Sequence, residues 1–170
     1  MKNQRMLDEL TELMRIDVSS GQETEIAEHL VKKLEQMGFA ITRDEAGATF
    51  GGMCGNILAV REGERDGVVC FCSHMDRVPG GIGIKPVEED GILRSSGDTI
   101  LAADDLSGVA AILEGVRQAI ESGKALPKLE ILFTVGEEAG LYGAKAFDVS
   151  LLTSKTMYVL DSPGRIGRIV

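Results

Sequence analysis

Apolar positions near the start of the chain recur at helical spacing: Met6, Leu7, Leu10, Leu13 and Met14. A second stripe runs through "SSGQETEIAEHLVKKLEQMGF", where Ile26, Leu30, Val31 and Leu34 fall on one face. Ser20 or a near neighbour is expected to cap this helix, and Gly38 to stop it. Short apolar and β-branched runs then predict strands at about Ala40–Arg43, Asn56–Arg61 and Val68–Ser73. The polar stretch "EGERDG" between the last two reads as a hairpin turn. A glycine-rich loop and a short hairpin around "EEDGI" lead into the clearest helix. There Leu106, Val109, Ala110, Leu113, Val116 and Ile120 share a face, and Gly123 closes it. Leu129 to Val135 forms another strand, and "KTMYVLDSPG" a last one ending at Asp161. Helices alternating with apolar strands predict an α/β fold, a three-layer sandwich with a mostly parallel or mixed sheet flanked by helices.

Bulk properties narrow the function. A length of 170 residues suits about one domain with a real core. Acidic residues outnumber basic ones 27 to 18, a net charge of −9, which argues against nucleic acid or an anionic membrane as partner. No apolar run reaches the length of a membrane span, and "MKNQRMLDEL" lacks the apolar core of a signal peptide. The odd count of three cysteines fits reduced thiols in a cytoplasmic protein. Cys70 and Cys72 flank Phe71 in one strand and cannot easily pair with each other.

One pattern recurs across the elements. His74, Glu137, Glu138 and Asp161 each lie just past an apolar strand, and Asp104 and Asp105 just before the long helix. In open α/β sheets, ligands bind outside the carboxyl ends of the strands. One imidazole and several carboxylates meeting there are the makings of a metal site. Taken singly, each residue has a plainer explanation. Asp-Asp before a helix is ordinarily a cap, Glu-Glu in a turn is solvated charge, and Asp161 before Ser-Pro-Gly forms a turn. His29 reads as a surface residue without a role. A thiolate zinc site in "CFCSH" lacks a second cysteine pair, so Cys70 and Cys72 read as small buried hydrophobes. The combination carries more weight. The intervals are 30 residues from His74 to Asp104, 34 on to Glu138 and 23 on to Asp161, each about one βα unit. The imidazole of His74 is therefore expected within about a dozen ångströms of the Asp104 and Asp161 carboxyl groups.

In order, "HMDRVPGG", "LAADDLSGVAAILE", "FTVGEEAGLYGAK" and "VLDSPG" resemble the metal-binding segments of the co-catalytic zinc aminopeptidases and carboxypeptidases. That group includes peptidase T, carboxypeptidase G, the bacterial dipeptidases and the acetylornithine deacylases; the wording is closest to the peptidase T-like branch. The resemblance implies that His74 binds one zinc, that Asp104 bridges two and is joined to Asp105 by a cis peptide, and that Glu138 and Asp161 complete one shell each. It makes Asp76 the acceptor of the second His74 N–H and Glu137 the general base. The cofactor is then two Zn²⁺, with Mn²⁺ or Co²⁺ accepted by such carboxylate-rich sites. The implied reaction is amide hydrolysis in a short peptide or N-acyl amino acid, by a water activated between the ions.

The resemblance also implies that residues 1–170 are the N-terminal part of the catalytic domain. A lid or dimerisation domain and a returning catalytic segment with a second zinc histidine would lie elsewhere. A sheet edge or apolar face bared by that division would favour self-association. Two rivals stand beside the enzyme. One is a non-catalytic metal-binding fragment that needs a complementary segment or chain; the other is a structural α/β module whose acids are only caps and turns.

Overall fold

A computed structural model describes residues 4–162 and 164. The two N-terminal stripes form α1 (Gln4–Met14) and α2 (Thr24–Gln36), and the long stripe forms α3 (Ala103–Glu121). The strands are β1 (Ala40–Arg43), β2 (Ile57–Arg61), β3 (Val68–His74), β4 (Pro86–Glu89), β5 (Ile92–Ser95), β6 (Lys128–Thr134) and β7 (Met157–Val159). A short helix, α4 (Tyr142–Ala146), and 3-10 turns at Ala46–Thr49 and Val149–Leu151 lie in segments whose sequence shows no periodic stripe. The "EEDGI" hairpin forms between β4 and β5, with Asp90 and Gly91 both at positive φ (53° and 75°), as a tight two-residue turn requires.

β2 and β3 are not hairpin partners. The sheet runs β1-β2-β6-β3-β7, so β6 lies between them, antiparallel to β2 and parallel to β3. The polar "EGERDG" link does turn the chain, but it passes over the start of β6, where the Glu64 and Arg65 amides donate to the Leu126 carbonyl. Turn chemistry is local, whereas strand choice depends on a partner some sixty residues later. The result is a mixed sheet flanked by helices.

Register assigns the faces. Ile57 pairs with Phe133 and Ala59 with Ile131, while β3 sets Ser73 beside Phe133 and Phe71 beside Ile131. Paired residues share a face. This face meets Leu13, Ile26, Leu30, Leu106 and Leu113 of the three long helices in one core. On the other face, Cys72 and Leu132 join Ala144, Phe147 and Val149 around a cavity of about 240 Å³ that reaches His74 and Asp161. Buried Glu130 secures that side by accepting the Thr153 and Ser154 amides at 2.8 and 3.0 Å. The cysteines are free, with Cys70 and Cys72 buried.

The start of α2 departs from its expected cap. Glu23 holds the cap position, but its side chain makes no bond to the helix. The Ser20 hydroxyl donates instead to Asp76 at 2.5 Å.

Candidate metal centre

β3, β6 and β7 run parallel, so their carboxyl ends open onto one edge. His74 closes β3. Beyond β6, Gly136 turns the chain at φ +60°, and Glu137 and Glu138 follow. Asp161 comes two residues past β7. Asp104 lies at the start of α3, before the regular helix, where it and Asp105 have non-helical backbone and share a cis peptide.

These ends converge on the imidazole. His74 Nε2 lies 3.2 Å from Asp104 Oδ1 and 3.9 Å from both Glu137 Oε2 and Asp161 Oδ1. One ligand atom each from His74, Asp104 and Glu138 fall within 4.8 Å of one another. Atoms sharing a tetrahedral Zn²⁺ sit about 3–3.5 Å apart, given bonds near 2 Å, so this donor set is of the right type and nearly the right spacing. His74 is buried, Glu137, Glu138 and Asp161 are half-buried, and Asp104 is open to solvent. The walls are therefore fixed and one side is accessible.

A second group, Glu9, Glu12 and His29, is equally compact. The Lys33 ammonium already lies 2.8 Å from Glu9 and 2.9 Å from Glu12. That group is an ion-pair network between α1 and α2.

Electrostatics separates the two. Four carboxylates surround His74, and among the described residues no lysine or arginine pairs with Asp104, Glu137, Glu138 or Asp161. Burial alone would lower the His74 pKa; Asp76, then Asp104 and Asp161, outweigh it and raise it to about 9. Glu137, Glu138 and Asp161 are all pushed up, first by burial, with His74 opposing and the charge of Asp104 and other neighbouring acids adding to the rise. Mutual repulsion of this kind is what a divalent cation relieves, so the residues fit such an ion.

Asp76 does more than sequence spacing implies. It is fully buried, and His74 Nδ1 lies nearer its backbone carbonyl, at 3.0 Å, than its carboxylate, at 3.4 Å. The carboxylate accepts the Ser20 hydroxyl and the amides of Glu137 (2.9 Å) and Glu138 (3.1 Å). Burial opposes its ionisation, yet the bonds from His74, Ser20 and the Glu137 amide hold its pKa below the usual carboxylate range. Asp76 thus orients the ring and also braces the turn bearing the two glutamates.

Asp105, marked in the sequence by its place before the long helix, also supports the site, and Asn56 does so with no local signature. Buried Asp105 accepts the Ser73 hydroxyl at 2.5 Å and the Gly108 amide at 3.1 Å. Burial, only partly offset by Ser73, pushes it up to about 6. Asn56 accepts the Val135 amide at 3.1 Å and donates to the Gly143 carbonyl at 2.9 Å and Asp44 at 2.7 Å. It thereby ties both ends of the segment between β6 and α4. The apolar run of β2 marks Asn56 only as a strand start.

The model of Peptidase family M28 matches residues 56–166, about two thirds of the chain. The chain belongs to this family. The uncharacterized protein YqjE of Bacillus subtilis is 38% identical to this M28 chain over 171 residues, covering 100% of this chain and 46% of its own. The crystal structure of aminopeptidase PepT from Bacillus cereus superposes with a TM-score of 0.93 at 40% identity, covering 97% of this chain and 45% of that one. A tripeptidase from Staphylococcus aureus gives 0.91 at 34% identity, covering 95% and 44%. The chain spans less than half the length of each. Among the described residues of this M28 chain, no helix is long and apolar enough to cross a membrane.

Proposed function

We propose that this chain carries the metal-binding half of a co-catalytic metallopeptidase of the peptidase T type, acting on short peptides as an aminopeptidase. The observation that carries the reading is the approach of Asp104, Glu137 and Asp161 to a single buried imidazole, all within 3.9 Å of His74 Nε2. His74, Asp104, Glu138 and Asp161 would hold two Zn²⁺. When bound, the ions would supply Lewis acidity to the scissile carbonyl and lower the pKa of the attacking water. Glu137, whose pKa is raised by burial and by its acidic neighbours, receives the proton of that water on a carboxylate oxygen and delivers it to the leaving amine. Asp76 keeps the His74 ring oriented so that Nε2 faces the acids. The similarity to an aminopeptidase and a tripeptidase supports the substrate class.

A second reading, a metal-binding part that becomes catalytic only with a complementary segment, is favoured by the single imidazole. The other histidine, His29, pairs with Glu12 between α1 and α2. Zn²⁺ titration by calorimetry tests the shared part of both readings. His74→Ala should weaken binding by about 10–100-fold or more; unchanged binding would sink the assigned ligand set. Tripeptide hydrolysis by scrupulously pure protein separates the two. Turnover that Glu137→Gln abolishes selects the self-sufficient enzyme, and absent turnover with intact metal binding selects the half-site.

A further inference from the structure

The turn that bears Glu137 and Glu138 is held by its backbone. Three consecutive amides point inward onto two buried carboxylates. Gly136 N–H donates to Glu23 Oε1 at 3.0 Å, Glu137 N–H to Asp76 Oδ1 at 2.9 Å, and Glu138 N–H to Asp76 Oδ2 at 3.1 Å. Glu23 lies far away in sequence, at the start of α2, and its side chain is fully buried. The same Oε1 accepts the Gly21 amide at 2.8 Å, while Oε2 is buried without a hydrogen-bond partner among the described residues.

A fully buried carboxylate is an expensive way to begin a helix, since an exposed Ser, Thr or Asp side chain does so without desolvation. Glu23 makes no such bond to α2. Both of its bonds go to loop glycines. Glycine suits position 136, because φ is +60° and a Cβ there would come within 2.6 Å of the Phe50 ring. A glycine immediately before two site acids would leave the turn free to swing; Asp76 holds the two amides that follow it, and Glu23 holds the amide of the hinge residue itself.

We propose that Glu23 is a positioning residue for the candidate metal site: by holding the Gly136 amide it fixes the turn that aims Glu137 and Glu138 at His74. The inference rests on the metal-site reading above and adds to it a residue that touches neither metal nor substrate. Loss of a supporting partner of a metal ligand typically lowers metal affinity by about 10–100-fold.

The test uses Co²⁺ as probe, with calorimetry for affinity, visible absorption for coordination and amide hydrogen exchange for the turn. Wild type, Glu23→Ala and Glu23→Gln are compared; Gln keeps an acceptor oxygen for the Gly136 amide. Glu23→Ala should weaken Co²⁺ binding about tenfold or more, alter the visible bands and speed exchange at residues 136–138. Glu23→Gln should restore affinity to within about threefold and restore protection of the Gly136 amide. Folded Glu23→Ala with wild-type affinity overturns the proposal, as does weakened binding with unchanged exchange at 136–138. If Glu23→Ala does not fold, wild-type exchange decides: protection of the Gly136 amide comparable to β6 upholds the proposal, and exchange at loop rates overturns it. Wild type that binds no Co²⁺ defeats the metal-site reading itself, an outcome distinct from variants that bind as well as wild type.

Discussion

Arg77 follows Asp76 directly and is the largest fully buried side chain among the described residues. Its guanidinium donates only to backbone carbonyls: Ile16 at 2.8 Å, Gly81 at 2.9 Å, Met14 at 3.3 Å and Leu13 at 3.4 Å. Leu13 and Met14 end α1 and Ile16 lies two residues beyond it, where the chain leaves the helix and carbonyls run short of helical partners. A planar fork with five donors spans carbonyls that are spread apart; an ammonium has three donors on a single atom. Burial pushes the Arg77 pKa down from its ordinary value. Arg77→Ala would orphan these carbonyls and open a cavity beside them. We expect a loss of about 3 kcal/mol in urea unfolding, with Arg77→Lys recovering only part of it. A cost below about 1 kcal/mol for the alanine variant would show that water replaces the fork without penalty.

The segment between β6 and α4 depends in the same way on groups outside itself. Asn56 accepts at one end, from Val135, and donates at the other, to Gly143, so both of its amide atoms are needed with their present identities. Asn56→Asp preserves shape but replaces the donor with an anion facing the Gly143 carbonyl and the Asp44 carboxylate. Chemical denaturation should find Asn56→Asp less stable than wild type by about 2–4 kcal/mol, and less stable than Asn56→Ala. The opposite order would mean that the site admits water or rearranges. This element also shows what the sequence could and could not disclose. His74, Glu137, Glu138 and Asp161 follow apolar strands, and that recurring position made them legible without coordinates. Asn56, Glu23, Ser20 and Ser73 serve partners up to 113 residues away, as the Gly136–Glu23 bond does, and no local period encodes such a bond. The misassigned hairpin between β2 and β3 failed for the same reason: the strand that separates them enters the chain much later.

At the scale of the whole molecule, the three long helices are cross-linked by charge. Arg5 on α1 clamps Glu114 with two bonds of 2.8 Å and Glu121 with bonds of 2.7 and 2.9 Å, both acids on α3. Arg117 joins Glu114 to Glu9 on α1, and Lys33 on α2 reaches Glu9 and Glu12. In a chain with a net charge of −9, this network sets cations against two buried acids, Glu9 and Glu114. Arg5 is the main cause of the depression of Glu114 to about 2. Unfolded, Glu114 would titrate near its ordinary 4.5, so between those values the unfolded chain binds the extra proton. Its stabilisation is therefore complete above about pH 5 and is lost as the pH falls towards 2. The site acids act in the opposite sense. Glu137, Glu138 and Asp161 are raised, so their protonation relieves repulsion and favours the folded state as the pH falls. Glu114→Gln isolates the first contribution. Thermal unfolding of the metal-free protein should give a lower Tm than wild type at pH 7, with the gap closing between about pH 5 and pH 2. Two curves that stay parallel across that interval would mean that the Arg5 clamp contributes packing rather than charge, since packing does not titrate.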